Sequence, residues 1–177
     1  MKNNLKVLLL SLGMLISSVG TISAVTAQTS TNQNLQKSFL NNQQQSWIEA
    51  SAKQARNREL NAFSNSKYDY WDARVLGEYW GQSAYEAKAR IGRKILWGKS
   101  DVAILEQFLV DARVNALQKL NNSTNNLPLY IDSKYRYNDA QKLARLWGEK
   151  SPWDAKIRIE KNLILGQQEI IERALKQ

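Results

Sequence analysis

Asp72, Glu78 and Glu86 lie near one another in a chain of 177 residues. Paired carboxylates are the equipment of a glycan hydrolase, in which one acts as an acid with a raised pKa and its partner as base or nucleophile. They stand out because the sequence has no His and no Cys. A Ser-His-Asp triad, a Cys-His pair, a His- or Cys-ligated zinc site and thiol chemistry are therefore excluded. No phosphate-cradling Gly-rich loop is present. No metal site and no cofactor is expected.

A second set of residues is better suited to binding than to catalysis. Tyr68, Tyr70, Lys88 and Arg90 recur along the chain as Tyr135, Tyr137, Lys156 and Arg158. Aromatic faces beside Lys and Arg suit an anionic ligand. Asp72 recurs as Asp139. The expected structural role of this acid is an ion pair with Lys88 or Arg90, copied in the second half. The chain carries a formal net charge of +9, so an anionic partner is favoured by the field of the whole molecule.

The tyrosines and Asp72 recur because the segment around them does, and Lys88 and Arg90 recur in a further match of 85–91 with 153–159, one residue further apart. Positions 66–81 return as 133–148 with 9 of 16 residues identical. Such a repeat marks one supersecondary unit used twice. Within it Tyr70, Ala73, Leu76 and Trp80 share one helix face, as do Ala140, Leu143 and Trp147. Gly81 and Gly148 follow at the position where helices stop. Trp80 and Trp147 are expected to be core anchors where the first two helices of each unit meet. Ser83 with Glu86 has the form of a capping box, and Ser151-Pro152 starts its counterpart after one extra residue. Gly98 and Gly166 end these second helices. Asp101 is placed to cap a third, over 102–120. Residues 121–128 read as a loop, and Gln167 to Leu175 begins the last helix.

Ahead of the repeats, Trp47 to Phe63 reads as a leading helix. Residues 28–45, rich in Gln, Asn, Ser and Thr, read as a polar linker. Residues 1–27 have a positive start, an apolar run and small residues before Gln28, the three parts of a secretory signal peptide. The apolar run is short for a bilayer span, which needs about 20 residues. Removal of 1–27, with two Lys and no acid, leaves a charge of +7.

The expected fold is all-α: a leading helix followed by two tandem three-helix repeat units, 66–120 and 133–177, packed into one helical domain over 46–177. The expected protein is exported, periplasmic or secreted, and non-enzymatic. It binds a protein or an anionic envelope polymer, and peripheral contact with lipid headgroups is open to it. Export argues against a nucleic-acid partner. The alternative is a small envelope hydrolase using the three carboxylates.

Overall fold

The computed structural model describes residues 22–122 and 125–177. The expected leader lies outside them as far as residue 21. Among the described residues there are eight helices and no strand. No helix there is long and apolar enough to cross a membrane.

The chain divides into two compact units, Met1–Ile48 and Glu49–Gln177. Helix α1, Ile22–Ser64, crosses that division. The segment expected to be a polar linker is therefore helical. It contains neither Gly nor Pro, so nothing local breaks the helix. Trp47 and Ile48, at the end of the first unit, are exposed.

In the second unit, α2 (Tyr70–Trp80), α3 (Ala84–Trp97) and α4 (Lys99–Asn122) pack on one another. A short helix, α5 (Pro128–Asp132), occupies the end of the expected loop and the residues just ahead of the expected second unit. Then α6 (Tyr137–Trp147), α7 (Pro152–Ile164) and α8 (Gln168–Leu175) pack together. Helix α7 also meets α2, α4 and α5. Both trios bury leucine and isoleucine: Leu76, Ile91 and Leu105 in one, Leu143, Ile159 and Ile171 in the other. Apolar side chains at these positions supply the drive to pack.

Local chemistry sets the boundaries. At α2, Asp69 Oδ1 accepts from the Asp72 N–H at 2.9 Å, and Asp72 Oδ2 accepts from the Asp69 N–H at 3.1 Å. At α3, Ser83 and Glu86 make the same reciprocal pair. These bonds satisfy donors that a helix start leaves open. Gly81 and Gly148 close α2 and α6 with φ of 65° and 68°. A side chain rarely adopts that left-handed conformation. Helix α4 starts directly after Gly98, and Asp101 lies in its first turn. Asp101 pairs with Lys94 at 2.9 Å instead of capping.

Helix α1 reaches α3 at one glycine. A Cβ on Gly92 would overlap the Glu59 carbonyl. The missing side chain lets the two backbones touch, and Arg93 seals the approach with a 2.7 Å ion pair to buried Glu59.

Candidate functional site

The paired tyrosines separate into two kinds. Tyr68 and Tyr135 are buried in the core. Their hydroxyls donate to Glu106 and Glu172. Burial, with the neighbouring carboxylate, pushes both phenols well above the usual range. Lys67 and Lys134 reach the same two carboxylates at 2.7 and 2.6 Å. The Lys134 bond, with help from Gln168 and Tyr135, holds Glu172 down at about 2. These matched networks tie the start of each repeat to α4 or α8. The tyrosines belong to structure.

Tyr70 and Tyr137 are exposed and carry the cations. Lys88 Nζ lies 5.1 Å from the Tyr70 ring and 5.6 Å from Phe63. Lys156 Nζ lies 5.5 Å from Tyr137 and 5.3 Å from Tyr130. Arg90 stacks on Trp80 at 4.1 Å, and Arg158 on Trp147 at 4.5 Å. One aromatic contact of each cation thus matches between the recurring residues, while the second partners of Lys88 and Lys156 differ. Trp80 and Trp147 are half-buried at the edge of the core, each capped by its arginine rather than fully enclosed.

The expected pairing of Asp72 with Lys88 or Arg90 is not what forms. Asp72 is buried, and its partner is Arg113 of α4 at 2.7 Å. Burial raises its pKa, against the Arg113 charge and the Asp69 N–H. Gly166 sits against this pair: a Cβ there would come within 2.6 Å of Arg113 Nη2. Among the described residues Asp139 takes part in no ion pair; it accepts from the Arg136 N–H at 2.8 Å. Lys88 and Arg90 are taken up by aromatic faces instead.

Around Arg90 the surface opens into a groove of about 420 Å³, lined by Arg56, Gln82, Glu86, Arg90, Arg93, Lys94 and Trp97. It holds four cations and one carboxylate. Glu86 is committed to the cap of α3: its Oε2 accepts from Ser83 N–H and Oγ–H. Those bonds, with the Arg56 charge, lower its pKa. Arg93 and Lys94 are paired with Glu59 and Asp101. Among the described residues neither Arg56 nor Arg90 takes part in an ion pair. Trp97 and Tyr85 are 62% and 57% exposed. Arg56 lies 5.9 Å above the Tyr85 ring.

The matching surface of the second half has a different balance. Its cleft, also about 420 Å³, is lined by Glu149, Asp154, Ile157, Arg158 and Lys161. Here the cations are matched by carboxylates, and Glu149 binds Arg158 at 2.9 Å.

A third cavity, about 350 Å³, brings Glu78 and Glu160 to one wall. Glu160 is 1% exposed, and both its oxygens accept backbone N–H bonds, from Leu129 at 3.0 Å and Tyr130 at 2.6 Å. Burial raises its pKa in spite of them. Its geometry is that of a clamp on α5. Glu78 is paired with Lys119 at 2.9 Å. The three carboxylates suggested by the sequence are therefore each engaged: Asp72 by Arg113, Glu78 by Lys119, and Glu86 by Ser83. Among the described residues no cluster of three acids is placed to hold a metal ion.

No family model, curated protein or solved structure matches the chain.

Sequence reasoning finds Arg90 and misses Arg56, Gln82, Arg93, Lys94 and Trp97. Arg56 comes from α1, outside the repeat, so no internal comparison points to it. Gln82 carries a signal: it is Gln where the repeat has Glu149.

Proposed function

We propose that this chain is a non-enzymatic, exported helical protein built from two tandem three-helix units behind a leading helix, and that it binds an anionic polymer of the cell envelope or its surroundings. The observation that carries the reading is the groove in which Arg56, Arg90, Arg93 and Lys94 face one committed carboxylate. Stacked guanidinium groups keep their N–H edges available for oxyanions, and stacking reduces the freedom they lose on binding. The tandem organisation is supported by the matched contacts of Tyr68 with Tyr135, Lys88 with Lys156 and Arg90 with Arg158. The engaged carboxylates weigh against the hydrolase alternative, which needs one free acid and one free base. Export rests on the order of charge, apolar run and small residues within 1–27.

Cosedimentation of the purified protein with insoluble envelope material tests the proposal. Binding should be strong at low salt and fall steeply at high salt, because exposed charges are screened over about 8 Å at physiological ionic strength. Binding indifferent to salt, or absent at low salt, would refute it.

A further inference from the structure

The two halves carry equivalent arginines in unequal surroundings. Arg90 and Arg158 stack on equivalent tryptophans. Gln82 and Glu149 occupy equivalent backbone positions: their N–H groups donate to Gly77 O at 2.8 Å and Ala144 O at 2.9 Å. The one carboxylate difference between the two turns falls beside the arginine. In the second half, Glu149 holds Arg158. In the first, Gln82 is neutral and lines the groove together with Arg90.

Resting on the binding function proposed above, we infer that the Arg56–Arg90–Trp97 groove is the competent site, that it takes one stretch of an acidic polysaccharide, and that Gln82 keeps it open by withholding the carboxylate that occupies its counterpart. The ligand class follows from the lining. Arg90 and Arg56 offer forked donors for a carboxylate or sulfate group. Trp97 belongs to the lining and Tyr85 lies under Arg56 beside it. Each ring carries a cation, Lys94 or Arg56, and is still more than half exposed, so the apolar face of a sugar ring packs on what remains open. A bare polyanion would use the arginines and leave the aromatic faces unused. The second cleft lacks counterparts of Arg56 and Trp97 in its lining, and its arginine is already paired. The protein is thus duplicated in construction and single in binding.

The test is titration calorimetry of the full chain with alginate, heparin, neutral dextran and inorganic polyphosphate. Alginate, heparin or both should bind, dextran should not, and polyphosphate should bind at least tenfold more weakly. Q82E should place a carboxylate next to Arg90 and weaken polysaccharide binding at least tenfold, with the melting temperature retained. Q141E, which adds the same charge on α6 outside the groove lining, should bind like the parent. Three results would overturn the inference while leaving the broader reading intact: Q82E binding like the parent, Q141E losing as much as Q82E, or polyphosphate binding as tightly as the polysaccharides. Failure of the parent to bind any of the anionic probes would overturn the broader reading and the inference with it.

Discussion

Gly92→Ala is the substitution whose sign separates local from tertiary control. In an open helix, replacing Gly by Ala stabilises by about 1 kcal/mol through helix propensity. At position 92 the space is taken. An added Cβ would lie 2.6 Å from the Glu59 carbonyl carbon, closer still to its oxygen, and 3.1 Å from its Cα. Carbon atoms sit well at about 3.5–4.0 Å. The obstacle is backbone, which cannot rotate away, so α1 and α3 must separate by about 1 Å. Overpacking of this kind destabilises by about 1–3 kcal/mol. Separation also weakens the 2.7 Å Arg93–Glu59 pair, which adds a few tenths of a kcal/mol at a half-exposed arginine. After subtracting the propensity gain, a net loss of about 1–2 kcal/mol remains. At this domain size that lowers Tm by about 3–10 °C. Thermal melts followed by circular dichroism read the effect directly. A Tm at or above the parental value would mean that α1 does not lie on Gly92, and the wall that Arg56 gives to the groove would go with it.

Glu160→Gln should destabilise by about 1–3 kcal/mol in denaturant titrations, because the new NH₂ faces a buried backbone N–H of α5 and one donor loses its partner; an unchanged midpoint would refute the clamp. Trp80→Ala and Trp147→Ala should each destabilise by about 2–4 kcal/mol, less than full burial would give, since both indoles are half-buried; strongly unequal losses would show that the two are not equivalent. Glu172 has a folded pKa below its unfolded value, so its contribution is present above the unfolded value and is lost as pH falls towards about 2. Melting temperatures measured from pH 5 to pH 2 should therefore fall more steeply for the parent than for E172Q; parallel curves would show that the Lys134 and Gln168 bonds do not hold the carboxylate down.

The helices are legible in the sequence because their signals are local. A capping acid or serine, an apolar residue every third or fourth position and a terminal glycine act within a few residues of one another, and α2, α3, α6 and α7 carry most of these. Helix α5 is not legible. Its five residues contain no period to detect, and its start is held by Glu160, thirty residues further on. Helix α1 upstream of residue 46 escapes a reading by composition, because polar composition speaks for solvation and says little about backbone shape.

Side-chain partners are the harder part, and Asp72 shows why. Its spacing from Lys88 and Arg90 allows an ion pair, and so does its charge. The pairing is decided by competition. Tyr70 and Trp80 offer the two cations aromatic faces on their own side of the helices, while Asp72 turns inward and meets Arg113 from α4. Arg113 lies in the third helix of the first unit, outside the 66–81 segment that recurs, so the spacing of the recurring residues does not reach it. The same limit explains the groove. Repetition draws attention to residues that are alike in both halves: Tyr68 and Tyr135 build the scaffold, and of the recurring residues singled out only Arg90 lines the groove. A binding site that works once must instead depend on what differs. Gln82 against Glu149 is such a difference. The second turn is one residue longer, yet Gln82 and Glu149 keep the same backbone bond. Glu149 pairs with Arg158, whereas among the described residues Arg90 makes no ion pair, and that difference is what the proposed single site rests on.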